Sequence, residues 1–162
     1  MYTMNYMKLL MDADCLIKLA RAGLKDLVGN KYTIFIPKVV QGEVVEAGKK
    51  KGCTDAVLVE KNIKTNVIRI TKGLSSYTKG DEALIDIFEK AEYDAIATDD
   101  AKLTRRLKTH GIPFILPALI IFQLSQDNII EKKTALWALK QLAPFISEDE
   151  HATVRLLMEG RK

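Results

Sequence analysis

Four acidic residues, Asp12, Glu43, Glu82 and Asp100, carry the chemistry this sequence is able to do. Asp12 and Asp100 follow short apolar runs of strand length, MKLLM and AIAT; Glu82 falls in the first turn of an amphipathic helix, and Glu43 in a helix that follows a strand. A fold that alternates strands and helices can gather all four at one edge of a sheet. Clustered carboxylates repel one another, and proteins tolerate them mainly when a hard cation such as magnesium or manganese compensates the charge. All-oxygen ligation suits those metals. One such ion polarises a phosphate oxygen and lowers the pKa of a bound water, and two ions roughly 3.5–4 Å apart stabilise the attacking and leaving oxygens. That is the chemistry of phosphodiester hydrolysis. Taken singly, each acid is as well explained as a helix cap or a solvated carboxylate; their joint arrangement makes the case.

The positioning elements are clearest between residues 80 and 117, GDEALIDIFEKAEYDAIATDDAKLTRRLKTHGIPFILP. Ala83, Leu84, Ile87, Phe88 and Ala91 keep helical spacing with one buried face. Asp81 and Glu82 therefore lie in the first turn, where the positive end of the helix dipole favours carboxylates. The run AIAT then ends in Asp99 and Asp100, and a second amphipathic helix follows through Leu103 and Leu107. In a parallel α/β sheet, strand carboxyl ends and helix amino ends face the same crevice. Glu82 and Asp100 are expected to converge there.

Upstream, Met7–Met11 reads as a buried strand closed by Asp12. Asp12-Ala13-Asp14 leads into a helix with Leu16, Ile17, Leu19, Ala20, Leu24 and Leu27 on its apolar side, stopped by Gly29-Asn30. Tyr32–Ile36 is a second strand. Pro37 opens a helix carrying Val39, Val40, Val44 and Val45, with Glu43 and Glu46 between them. A lysine loop, a helix over residues 54–61 and a strand over residues 67–70 precede a Gly/Ser loop. Residues 111–116 form the final strand. The remainder is helical over residues 118–124, 132–142 and 148–158, the last introduced by a capping-box match, Ser147-Glu148-Asp149-Glu150. The expected fold is α/β: a three-layer α/β/α sandwich on a central parallel sheet, one domain over residues 1–162 with a core at about 7–117 and a helical C-terminal extension over 118–162. Trp137, Leu139, Leu142, Phe145 and Leu156 are expected to pack that extension on its own sheet or on another copy.

The chain has 162 residues and is 48% apolar, enough for one real core. No apolar run reaches the length of a membrane span and the N-terminus lacks signal-peptide character, so a cytoplasmic setting is expected. Cys15 and Cys53 read as buried reduced thiols, and His110 and His151 as ordinary residues, because none has ligand spacing. The charge is unevenly spread. Residues 31–79 hold ten basic and four acidic residues, whereas residues 80–100 hold one basic and eight acidic. Lys102, Arg105, Arg106 and Lys108 follow directly. A cation at the acids and a polyanion along the flanks would fit this pattern, although exposed lysines and arginines commonly decorate solvated helix faces.

These residues resemble the PIN-domain nucleases. Asp12 in LLMDADCLIKLA is similar to that family's first aspartate, Glu43 in IPKVVQGEVVEAG to the acid of its strand-Pro-helix motif, Glu82-Ala83-Leu84-Ile85 to its Asp-Ala-Leu-Ile helix start, and Thr98-Asp99-Asp100 to its Thr-x-Asp. The resemblance covers roughly residues 8–116, and more loosely the helical tail. Where many members have Asp, this chain has Glu82, which leaves Asp81 as a competing ligand. The resemblance implies a magnesium- or manganese-dependent ribonuclease acting through metal-activated water. Asp12 and Asp100 would be direct ligands, Glu82 would complete the site, and Glu43 would orient the water or a second ion. Asp99 and Asp14 would be extra or outer ligands, and Thr98 would bond a neighbouring acid or cap the following helix. Arg105 and Arg106 would contact RNA phosphates. It also implies a toxin restrained by an antitoxin protein, and a homodimer. Two other readings stay open: a PIN-like module that binds RNA or protein without cutting, and a haloacid-dehalogenase-like phosphatase using Asp12 and Asp14. The second leaves Glu43 and Glu82 without a role.

Overall fold

The computed structural model describes residues 7–24, 27–28, 31–42, 68–71 and 80–160. Five strands form one parallel sheet: β1 (Met7–Met11), β2 (Tyr32–Ile36), β3 (Ile68–Ile70), β4 (Ala95–Ala97) and β5 (Phe114–Ile115), in the order β3-β2-β1-β4-β5. Seven described helices flank it: α1 (Ala13–Arg21), α2 (Lys38–Gln41), α3 (Gly80–Lys90), α4 (Ala101–His110), α5 (Pro117–Gln126), α6 (Lys132–Leu142) and α7 (Glu148–Glu159). This is the α/β/α sandwich of a PIN-like fold.

Alternation along the strands builds the two outer layers. Leu9, Met11, Ile34, Ile36, Ala95 and Ala97 point to one face, into a core completed by α1, α5, α6 and α7. Leu10 and Ile96 point to the other, against Leu84, Ile85 and Ile87 of α3 and Leu103 and Leu107 of α4. Both faces are covered, which is why the central strands read as continuous apolar runs. Each fully buried Leu or Ile contributes about 1.5–3 kcal/mol, so the sheet fixes its own register firmly.

Chain order places the site. The chain adds β2 and β3 on one side of β1, then returns to add β4 and β5 on the other. The carboxyl ends of β1 and β4 therefore adjoin at the reversal point, where such sheets bind ligands. Met11 is in register with Ala97, and the Asp12 N–H donates to the Ala97 carbonyl at 3.3 Å.

Three sequence expectations are corrected. Helix α1 stops at Arg21 and does not continue through Leu24 and Leu27. Gly23 takes φ +72°, its N–H donates to the Ala20 carbonyl, and the Leu24 N–H donates to that of Leu19 at 2.9 Å, a Schellman closure that ends the helix. The last strand is confined to Phe114–Ile115. In the tail, Leu139 and Leu142 are buried as expected, but Trp137 and Leu156, 51% and 69% exposed, do not pack on their own sheet, which overturns that half of the expectation alone. The helical phase explains it: α6 buries Ala135, Ala138, Leu139 and Leu142, and α7 buries Glu150, Val154 and Met158, which turns Trp137 and Leu156 outward. The expected helix over residues 54–61 and most of the valine-bearing helix after Pro37 lie outside the described residues.

Candidate active site

Asp12 and Asp100 come together because each is the N-cap of a helix that starts at the end of a neighbouring strand. An aspartate suits that position, since its carboxylate accepts a backbone N–H that the helix cannot satisfy. Asp12 Oδ1 accepts from Cys15 N at 2.7 Å, and Asp100 Oδ1 accepts from Leu103 N at 2.7 Å. Thr98 links the two. Its wholly buried hydroxyl donates to Asp12 Oδ2 and accepts from the Asp100 N–H at 3.1 Å. The hydroxyl therefore serves both acids, as bond to one and local cap for the turn that presents the other.

Asp12 is 6% exposed, and burial pushes its carboxyl up to about 7 despite the lowering bonds from Thr98 and Cys15; Asp14 and Asp99 add like charge. Burial likewise raises Asp81, and the next cause is the Asp100 charge, opposed by Arg106 and Lys102. Asp81, in the first turn of α3, thus feels the Asp100 charge. Glu82 lines a cleft of about 290 Å³ between α3 and α4 with Ile85, Asp86, Glu89, Arg106 and His110. Arg105 is exposed on α4, its Nε donating to the Ala101 carbonyl at 3.3 Å. Glu43 lies outside the described residues.

Asp99 and Asp14 are engaged by a lysine. Both oxygens of Asp99 stand 2.8 Å from Lys18 Nζ, and Asp14 Oδ2 is 2.9 Å away. Burial works against the charged ammonium, but the bonds to Asp99 and Asp14 prevail and raise its pKa well above the ordinary lysine value. Glu150, from α7, is a further buried acid here. Its carboxyl accepts from the Ala118 N–H at 3.1 Å; burial raises it to about 7, the Ala118 N–H lowers it, and the nearby Asp99 carboxyl raises it again. Neither Lys18 nor Glu150 was singled out as a site residue from the sequence. The Asp14–Lys18 spacing of four on one helix was a usable signal for the first; for the second, the capping-box match pointed to a local partner.

A hard divalent cation fits the donor chemistry of this edge. Asp12, Asp81 and Asp100 offer only oxygen, and the carboxyls of buried Asp12 and half-buried Asp81 are both raised, by burial first and by like-charged neighbours after it, which a cation would offset. Among the described residues no three His, Cys, Asp or Glu side chains are spaced as a ready-made metal cage. Magnesium commonly binds through one or two carboxylates, with waters and substrate phosphates supplying the rest.

A family model for the PIN domain matches residues 8–159, nearly the whole chain and including the helical tail. The chain belongs to the PIN-domain family, whose members are generally divalent-metal-dependent nucleases. No curated protein matches it. Among the described residues no helix is long and apolar enough to cross a membrane.

Proposed function

We propose that this protein is a metal-dependent endoribonuclease that hydrolyses RNA phosphodiester bonds with magnesium or manganese, acting in the cytoplasm. The observation that supports it best is the single buried hydroxyl of Thr98 serving both Asp12 and Asp100 at the reversal point of the sheet. Asp12 and Asp100 would hold the ion, and the first turn of α3 would complete its shell through Asp81 or Glu82. When bound, the ion supplies positive charge to the phosphate oxygens and acidifies a water. The chain supplies the rest. Thr98 fixes the face that Asp12 presents, the helix caps fix Asp12 and Asp100, and burial keeps competing water away from Asp12. Glu43 would orient the attacking water or a second ion in this reading. Arg105 and Arg106, one to two turns beyond Asp100, would hold flanking phosphates.

The decisive experiment titrates manganese into the purified protein by calorimetry, beside Asp12→Asn and Asp100→Asn. Binding that disappears in both variants, joined to RNA cleavage yielding 5′-phosphate ends, supports the reading. Binding unaffected by either substitution removes this edge from the chemistry. A non-catalytic RNA- or protein-binding PIN module is then the better account.

The family resemblance further suggests the toxin of a toxin–antitoxin pair, restrained by a small partner protein, and self-association as a homodimer. Growth arrest on expression of the wild type but not of Asp12→Asn would support the toxin role. Equal growth with both would remove it.

A further inference from the structure

Helix α6 carries the chain's one tryptophan and turns it outward. The buried face of the helix is made by Ala135, Ala138, Leu139 and Leu142. At about 100° per residue, Lys133, Trp137 and Lys140 fall within about 60° of one another, diametrically opposite that face. All three are exposed. No acidic residue occurs between Lys132 and Leu142. Among the described residues neither Lys133 nor Lys140 pairs with a carboxylate, whereas Lys18, Lys31 and Lys90 each do. A single exposed apolar side chain needs no explanation. An indole bracketed by two unpaired lysines on an acid-free helix is a different object: a flat π surface with positive charge on either side.

What this face can take narrows its occupant. A second copy of the chain, docked about a two-fold axis through Trp137, would lay α6 on α6 and set lysine against lysine with no acid on either helix to answer them. Acidic side chains of another protein would answer the lysines and leave the indole face unused. A nucleic acid strand answers both, because every unpaired base offers a π face to an aromatic ring and the phosphates beside it carry the negative charge. In a duplex the base faces are stacked away, so the strand must be single.

We propose that the outer face of α6 binds single-stranded RNA, stacking one unpaired base on Trp137 and holding the neighbouring phosphates with Lys133 and Lys140. That the strand is RNA rests on the ribonuclease reading. Helix α6 packs against α1, the helix that Asp12 caps, so this anchor belongs to the same packed body as the acidic edge. Stacking accepts any base, and the surface therefore selects unpaired RNA rather than a sequence. The helical tail thereby takes a part in holding the substrate.

The test uses the full-length protein in EDTA, so that cleavage does not intervene, and a short unstructured RNA of mixed A, C and U, beside the same RNA annealed to its complement. Affinity is read from the anisotropy of end-labelled RNA, and stacking from quenching of the tryptophan by unlabelled RNA. The single strand is expected to quench Trp137 and the duplex to leave it nearly unchanged. Trp137→Leu is expected to weaken single-strand binding roughly five- to a hundredfold, the range of base–aromatic stacking, and Trp137→Phe much less. Lys133→Gln and Lys140→Gln together are expected to lower the salt slope by about 1.4, two phosphates at about 0.7 each. Wild-type RNA affinity in a folded Trp137→Leu protein would overturn the proposal, and if that variant also turns a dimer into a monomer in sedimentation, the face belongs to a second copy. Equal quenching by the duplex, or no RNA binding at all, would overturn it too. The manganese titration judges the ribonuclease reading separately: RNA binding that depends on Trp137 without any metal binding leaves this surface standing on a protein that does not cut, and cleavage indifferent to Trp137 leaves the nuclease standing without this surface.

Discussion

The Thr98 hydroxyl donates to the Asp12 carboxylate across adjoining parallel strands, 86 positions apart in the chain. The bond is buried and, once Asp12 is ionised above about pH 7, charge-assisted, the kind worth about 1.5–3 kcal/mol. Thr98→Val keeps the shape and removes the donor, so it is expected to destabilise the protein by an amount in that range and to weaken manganese binding. Urea unfolding and calorimetry on the same variant read both effects. Unchanged metal affinity beside lowered stability would reduce Thr98 to a structural role.

The raised carboxyl of Asp12 gives a pH signature. Its folded-state pKa, about 7, lies above the ordinary 3.8, so the folded form binds the proton more tightly. The resulting stabilisation is complete below about 3.8 and is lost as pH rises through about 7. Over that interval it amounts to something on the order of 4 kcal/mol. Without metal, Asp12→Asn is therefore expected to gain stability relative to the wild type between pH 4 and pH 8, most of all at the alkaline end. Parallel pH profiles of the two proteins would remove Asp12 as the titrating group. Because metal must displace that proton, manganese affinity in the wild type is expected to climb as pH rises toward 7.

Much of this edge was legible in the sequence, and the exceptions have identifiable causes. The strands MKLLM and AIAT, each closed by an aspartate, announced themselves because a sheet covered on both faces demands short apolar runs. The overrun of α1 arose because Leu24 keeps helical spacing while folding back through the Gly23 turn; periodicity does not see a left-handed residue. Trp137 and Leu156 were legible only by phase, since hydrophobicity alone put them inside. Glu150 was hidden for a different reason. Its motif specifies a partner within its own helix, and the actual partner, the Ala118 N–H, is brought to it only by the packing of α7 against α5 and the core. Lys18 was the mirror case, a local ion pair with Asp14 that tertiary structure extends to Asp99.

The two acids that open α3 are separable by experiment. Neighbouring helical residues point about 100° apart, so one turn cannot aim both at the same ion equally well. Asp81 is raised by burial and then by Asp100, whereas Glu82 shares the cleft with Asp86, Glu89, Arg106 and His110. Asp81→Asn is accordingly expected to weaken manganese binding by roughly tenfold or more, with Glu82→Gln nearly neutral. The reverse order would give the third position to Glu82, as the family-like Glu82-Ala83-Leu84-Ile85 start suggests.

The two arginines of α4 should differ in how they meet RNA. Arg105 is exposed and, among the described residues, its side chain bonds only to the Ala101 carbonyl one turn back, through Nε. Arg106 is half-buried in the cleft with three carboxylates, and its charge already acts on Asp81. Binding of single-stranded RNA weakens with salt by about 0.7 logarithmic units per phosphate neutralised for each tenfold rise in salt. Measured in an Asp12→Asn background, so that cleavage does not intervene, Arg105→Gln is expected to reduce the salt slope by about that amount. Arg106→Gln is expected to change it less, because it shares its cleft with Glu82, Asp86 and Glu89, and instead to push the Asp81 carboxyl further up. A slope untouched by Arg105→Gln would return that residue to the solvated surface and move the RNA path off α4.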